Sequence, residues 1–406
     1  MAASAEANSR SIARDQFYQS KFPDFWYNWD NHEYAIYDIH TIDRSEVAKI
    51  RQTALQAYYI YDRVAPVLRN MDDETLLELG IPKQALSVVQ MFDVGIGNSV
   101  VSRFDMIPSN GGYKIIEINS ETPYFSIETN RINGEMCKEF GLDNPNVESE
   151  RLLGEALAKA IPSDAVNVAV CAYNPYRECY FTAQYIMELM IKYSGRKDIR
   201  FVPIHELQVD EYGAFDSVGP IDCLYRSYPL EHFASDGEAG EQLFKLVEEG
   251  HLRIINPPSA LLIQSKLAQA VIWGLMESKQ YFNEAEREII QDIFLPSYAD
   301  LPQDGNRWVC KPVFGREGNS VTIYDPNGQK MEESIWQDYT DQPMLYQKCL
   351  DMPQIAYRNK DGEMIEGYAI NTCFITGDSV GAVGMRVGGK ITDAWARFLP
   401  LGMEPE

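Results

Sequence analysis

Two short stretches constrain this chain more than anything else in it: Val101-Ser102-Arg103-Phe104-Asp105 and Lys114-Ile115-Ile116-Glu117-Ile118-Asn119. Residues i and i+2 of a strand point the same way. Arg103 and Asp105 therefore share a face of one strand, and Glu117 and Asn119 share a face of the other. Between them, Pro108-Ser109-Asn110-Gly111-Gly112 supplies the turn residues that fold two strands back on each other. The pattern predicts a hairpin over 100–119 on which Asp105, Glu117 and Asn119 converge as three oxygen ligands beside the Arg103 guanidinium. Oxygen-only ligation suits Mg²⁺, and a guanidinium suits the phosphate oxygens that Mg²⁺ accompanies. Acidic residues alternating with apolar ones also form ordinary solvated strand faces. Four such side chains on one potential site favour chemistry.

A second segment reads Trp308-Val309-Cys310-Lys311-Pro312-Val313-Phe314-Gly315-Arg316-Glu317-Gly318-Asn319-Ser320. An apolar strand delivers Lys311, and a loop with two glycines, Gly315 and Gly318, returns into a further strand. Glycine permits the close approach by which backbone N–H groups meet phosphate oxygens. Lys311 would add a mobile point charge and Arg316 a forked set of donors. The spacing is neither the GxxxxGK[ST] phosphate loop nor a dinucleotide fingerprint, and taken alone it is equally an exposed hairpin. Tyr346-Gln347-Lys348 places Lys348 on a strand edge, available to a nucleotide or simply to solvent. Gly384-Met385-Arg386-Val387 puts Arg386 near a strand end, where it could meet a transferred phosphoryl group. Lys266 opens a helix over 266–280 and could reach adenine or phosphate, or remain a surface residue.

Length and composition bound the rest. A chain of 406 residues predicts two or three structural units, and 45% apolar residues with 24 Tyr and 17 Phe exclude a disordered chain. No run approaches about 18 apolar residues, which predicts no membrane span. Residues 1–14 lack the apolar core of a secretory signal. The seven cysteines are scattered and form no CxxC pair, as expected of reduced thiols in a cytoplasmic protein. Cys171 and Cys310 lie in apolar strands and read as core thiols. The five histidines show no metal-ligand spacing, and no Ser sits in a G-x-S-x-G elbow. A formal charge of −24 repels nucleic acid and anionic membranes and attracts a cation such as a polyamine. Solubility is an equally good reason for such a surface.

The periodicity predicts helices over 43–69, 72–79, 127–140, 149–160, 177–194, 238–249, 261–281 and 284–294. Strands are expected over 166–172, 200–203 and 221–227, alternating with helices as in a parallel sheet covered on both faces. Beyond residue 300 the strands 307–311, 319–324, 344–349, 353–359, 364–375 and 379–387 follow one another through glycine turns, as in an antiparallel unit. Asn359-Lys360-Asp361-Gly362 is one such turn, and Gly388-Gly389 is another candidate.

Through Arg103-Phe104-Asp105, Glu117-Ile118-Asn119 and Lys311-Pro312-Val313-Phe314-Gly315-Arg316-Glu317-Gly318, the chain resembles the synthetase domain of the glutathionylspermidine synthase family, an ATP-grasp group of carboxylate–amine ligases. The likeness runs from about residue 14 to about 400 and continues weakly in Leu345-Tyr346-Gln347 and Gly381-Ala382-Val383-Gly384-Met385-Arg386. It implies an α+β or α/β chain with the ATP-grasp fold, a mixed central sheet and a C-terminal antiparallel lobe covering the nucleotide. The expected division is 14–145 with the metal-binding hairpin, 146–260 as a central substrate-binding region, and 261–406 with the lysine loop and closing strands.

The resemblance also implies roles. Asp105, Glu117 and Asn119 would bind two Mg²⁺ ions bridging ATP phosphates. Arg103 would stabilise formation and breakdown of an acyl-phosphate, and Arg386 would meet the reacting phosphate. Lys311, Gly315, Arg316, Gly318, Lys348 and Lys266 would contact ATP, with the loop closing to exclude water. Asp105→Asn or Glu117→Gln is expected to abolish ATP turnover with little loss of folding. The acceptor side departs from the family: where bifunctional members carry small residues with serines, this chain has Ser120-Glu121-Thr122-Pro123-Tyr124-Phe125. The partners are accordingly a small-molecule carboxylate and an amine, glutathione-like and polyamine-like or otherwise, with no nucleic acid and no membrane. A non-catalytic ATP-binding module and a phosphotransferase of the same fold are the alternatives.

Overall fold

The computed structural model describes residues 2–29, 32–93 and 95–405; Met1, Asp30, Asn31, Val94 and Glu406 lie outside it. Three large sheets carry the architecture. In the first, the hairpin sheet, Arg397–Phe398, Ser379–Gly388, Met364–Thr376, Val101–Ser109 and Gly112–Asn119 lie side by side, with Gln354–Arg358 also on Met364–Thr376. Every pairing in it is antiparallel. The second has the order Arg253–Ile255, Cys223–Ser227, Val168–Ala172, Arg200–Pro203 and is parallel throughout. The third, the lysine sheet, runs Ser297–Tyr298, Met344–Lys348, Trp308–Pro312, Thr322–Tyr324, Lys330–Glu333, again antiparallel.

The topology is therefore mixed α/β, but the expected mixed central sheet is corrected: parallel and antiparallel strands segregate into separate sheets. The reason lies in how each strand is connected. Val168–Ala172 and Arg200–Pro203 are joined by the helix Arg177–Ser194, the crossover that parallel neighbours require. Val168–Ala172 and Cys223–Ser227 are buried along their whole length, as strands covered on both faces are. The strands after residue 354 fold back through tight turns instead. Residues 371–376 pair with 101–106, so the segment 261–406 contributes strands to two of the three large sheets and, through Leu401–Gly402, to a two-stranded one.

The long helix Arg44–Arg69 forms because Val47, Ile50, Ala54, Ala57, Tyr61, Val64 and Leu68 fall on one buried stripe. It covers the back of the hairpin sheet, with Tyr61 and Phe104 ring centroids 5.9 Å apart. Each fully buried Ile or Leu on that stripe contributes about 1.5–3 kcal/mol. With its back sealed, the sheet turns its other face to a cleft. The helices Ser149–Ala160 and Arg177–Ser194 have the expected bounds.

Four features differ from expectation. A helix covers Ala2–Lys21; Phe17 and Tyr18 on it and Phe25 and Trp26 beyond it pack in one core with Phe125 and Phe398. A small antiparallel sheet occupies Gln208–Asp210, Gly213–Phe215 and Pro220–Ile221. Residues 128–132 are wound as a π-helix before Asn133–Phe140. The helix expected over 261–281 breaks into Ala260–Gln264 and Leu267–Ser278, with Ser265 extended between them. Cys171 and Cys310 are buried as expected of core thiols. No helix among the described residues is long and apolar enough to cross a membrane.

Candidate active site

The expected hairpin forms, and its register sets Arg103 opposite Asn119 and Asp105 opposite Glu117. Directly opposed residues hold their side chains about 5 Å apart at Cβ, so the four polar groups form one patch. A cleft of about 880 Å³ opens in front of it. Arg103, Glu117, Asn119, Lys266, Lys311, Gly315, Arg316, Gly318, Lys348 and Arg386 all line this cleft. Segments 195 residues apart thus meet: Lys311 Nζ donates to the Ile116 carbonyl at 3.2 Å, one residue before Glu117.

Asp105 is the predicted residue that does not reach the cleft. It is fully buried and accepts from Arg103 Nε and Nη2, both at 2.9 Å, and from Arg386 Nη2 at 2.7 Å. Two guanidinium groups enclose its carboxylate because Arg103 precedes it by two residues and Arg386 projects from the same face of the sheet. The third ligand of the expected triad is thus a clamp on two arginines in this structure. Arg103 also donates to the Tyr124 carbonyl at 2.9 Å, which anchors the loop after the hairpin. Arg386 Nε is buried without a partner among the described residues.

Glu117 faces the cleft from among cations. Burial acts to raise its pKa, but Lys266, Lys311, Arg103 and Arg386 outweigh it and hold the carboxyl at about 2. Lys266 Nζ is 3.5 Å from Glu117 Oε2 and 2.8 Å from the Gly315 carbonyl. The break at Ser265 puts Lys266 at the head of a helix and inside the cleft, where a continuous helix would have carried it past. Lys311 is lowered to about 8, chiefly by burial, although Glu117 favours its charge.

The glycine loop is tightly seated. Gly318 has φ +63°, and a Cβ there would lie 2.3 Å from the Thr392 carbonyl; only glycine allows that approach. A Cβ on Gly315 would meet Pro312 Cγ at 2.3 Å. Arg316, read from the sequence as a phosphate donor, pairs with Glu231 and lies 3.4 Å from His232 Nε2. Its guanidinium ties the loop to the short helix Leu230–Phe233 across the cleft.

A second part of the cleft is acidic and aromatic, and no motif in the sequence marks it. Glu178 and Glu317 line the cleft together with Trp29, Tyr34, Tyr173 and Tyr176. Behind them, fully buried Glu128 accepts from Tyr34 Oη at 2.6 Å, while its Oε2 has no partner among the described residues. Burial and repulsion from Glu128 and Glu317 push Glu178 up to about 8. Burial likewise pushes Glu128 to about 7. The π-helix that aims Glu128 is a local rewinding of the kind found at functional sites, and no propensity signal announces it. Gln269, and Gln347 beyond its place in a strand, carried no role in the sequence because their partners come from other elements.

Glu117 and Asn119 suit an oxygen-coordinated Mg²⁺. Glu117 is held ionised, and Asn119 Nδ2 is buried without a partner among the described residues; turning that amide over presents its oxygen. Among the described residues no three His, Cys, Asp or Glu side chains gather as a metal site by themselves.

Known proteins place the chain. A curated Haemophilus influenzae protein, provisionally named an acid–amine ligase, is 26% identical over 200 residues, covering 45% of this chain and 44% of that one. The chain thus spans less than half the length of that relative. The solved apo structure of a glutathione synthetase-like effector from Globodera pallida superposes with a TM-score of 0.62 at 14% identity, over 97% of this chain and 96% of that one. That likeness is one of fold. The family model described as glutathionylspermidine synthase preATP-grasp matches residues 8–404, and the chain belongs to that family.

Proposed function

We propose that the protein is an ATP-dependent carboxylate–amine ligase that forms an amide through an acyl-phosphate. The observation that carries this reading is the meeting of Lys311 and the Arg103, Glu117 and Asn119 patch on one cleft, although 195 residues separate Lys311 from Ile116. The cation-rich part of the cleft suits a triphosphate, and its acidic, aromatic part suits an amine. Family membership and the relation to a provisional acid–amine ligase agree with it.

In the first step a substrate carboxylate oxygen attacks the γ-phosphorus of ATP, and the bond to the ADP oxygen breaks. Both reactants are anionic. Arg103, Arg386, Lys266 and Lys311 offset that repulsion and stabilise charge on the transferring oxygens. Asp105 contributes indirectly by fixing the two guanidinium groups. Mg²⁺, when held by Glu117 and Asn119, would add charge neutralisation at the phosphate oxygens. In the second step the amine nitrogen attacks the acyl carbon and the carbon–oxygen bond to phosphate breaks. The proton lost by the ammonium passes to Glu178 in its ionised form, the minor form at neutral pH, whose raised pKa makes it a stronger base than an ordinary carboxylate. The loop at 314–320, seated against Thr392 and Glu231, keeps water from the acyl-phosphate.

The test is a screen of carboxylate and amine pairs, peptides and polyamines included, with Mg-ATP, following ADP release and product mass. The expected result is one amide per ADP. ATP binding without turnover of any pair would indicate a binding module, and a stable phosphorylated product would indicate a phosphotransferase.

A further inference from the structure

We infer that Gln269 and Gln347 are positioning residues for Lys311, seated on a bulge that frees the Ile116 carbonyl; this rests on the reading that Lys311 meets ATP. In the hairpin register Asp105 faces Glu117 and Met106 faces Ile115, which leaves Ile116 with no cross-strand partner. Such a bulge releases backbone groups from the ladder, and a carbonyl so released needs donors from elsewhere. Two arrive from distant elements, Lys311 Nζ at 3.2 Å and Gln269 Nε2 at 3.3 Å. Lys311 Nζ also donates to Gln347 Oε1 at 2.8 Å, and Gln347 Nε2 donates to Gln269 Oε1 at 2.8 Å. The four bonds close a ring.

The ring has only one sense. An ammonium can only donate and a carbonyl can only accept, so each glutamine amide between them has a single permitted orientation. Gln269 and Gln347 are 2% and 1% exposed, and buried amides flipped out of register would leave unpaired atoms. Two of the three ammonium N–H groups are spent on the ring, and the third remains for a ligand in the cleft. A free lysine is a flexible stem that must be ordered when phosphate arrives; here the ordering is done during folding, which favours binding. The ring also joins three elements: the hairpin sheet, the helix Leu267–Ser278 and the lysine sheet. It sets Lys311 one residue away from Glu117, so cation and carboxylate keep a fixed relation. Neutral acceptors favour the charged form of Lys311, which burial opposes.

The experiment compares Gln347→Leu, Gln269→Leu and Gln347→Glu with the unaltered chain. One readout is the pH dependence of Lys311 acylation by acetic anhydride, followed by peptide mass spectrometry; the other is the Kd for ATP. Loss of a hydrogen bond to the charged form should lower the acylation midpoint by about one pH unit in Gln347→Leu and weaken ATP about tenfold. Gln269→Leu should weaken ATP less, since it acts through Gln347. Gln347→Glu keeps an acceptor and adds a negative charge, so its midpoint should rise; this sign holds even if the leucine variants fold poorly. An unmoved midpoint and unchanged ATP affinity in folded Gln347→Leu, or a midpoint that fails to rise in Gln347→Glu, would overturn the inference. The acylation readout needs no ATP. An unaltered chain that binds no ATP would refute the ligase reading, whereas an unmoved midpoint refutes the ring alone.

Discussion

Two parts of the cleft treat the same side chain in opposite ways. Glu117, among Lys266, Lys311, Arg103 and Arg386, is held at about 2. Glu178, facing Glu128 and Glu317 among aromatic rings, is pushed to about 8. Burial acts upward on both; four cations outweigh it at Glu117, whereas at Glu178 the repulsion from Glu128 and Glu317 adds to it and Arg103 and Arg386 do not offset the sum. One glutamate is kept as a permanent anion and the other as a proton store near neutrality. The proposed joining of an acid to an amine would use both states.

The comparison breaks most completely at Glu117. Glu117→Gln removes the anion that the four cations surround, and ADP release should fall about 10²–10³-fold. Retained turnover at saturating Mg-ATP would remove Glu117 from the chemistry. Next is Asp105→Asn. Because Asp105 is buried between Arg103 and Arg386, the variant should lose about 3 kcal/mol of stability in urea unfolding along with turnover. The expectation of little loss of folding therefore changes for Asp105, and Glu117→Gln should also lose stability above pH 4.5, where the surrounding cations hold the carboxylate ionised.

A third test uses pH. Glu178 and Glu128 have folded values above the ordinary 4.5, near 8 and 7. Between those limits the folded state binds more protons than the unfolded one, so their share of stability falls as pH rises from about 4.5 to about 8. Glu117 runs the other way: its share is full above 4.5 and is lost as pH falls toward about 2. Glu178→Gln should flatten the upper slope and leave the acid limb unchanged, as read from melting temperature against pH. The smallest effect is expected at Lys348, which lines the cleft. Lys348→Ala should weaken ATP by about two- to fivefold, the range for one solvated charge.

How much of this was legible in the sequence follows from distance along the chain. The hairpin could be read because its turn and its i, i+2 pairs lie within twenty residues, whereas its register, Arg103 against Asn119 and Asp105 against Glu117, came only with the structure. The helices Ser149–Ala160 and Arg177–Ser194 carried their own apolar stripes. The break at Ser265 was hidden because apolar periodicity continues through it. The partners of Arg316 and Asp105 were hidden because Glu231 and Arg386 are remote in the chain. The acidic wall was hidden for a further reason: Glu178 and Glu128 are single glutamates on helices, and only folding sets them beside Tyr34 and Glu317.

The central claim is that a carboxylate oxygen attacks ATP in this cleft and leaves with phosphate. A substrate carboxylate labelled with ¹⁸O, incubated with Mg-ATP and the amine found in the screen, tests it most directly. The expected result is one ¹⁸O in each released phosphate, matched by one ADP and one amide. Unlabelled phosphate released alongside ADP would contradict the account.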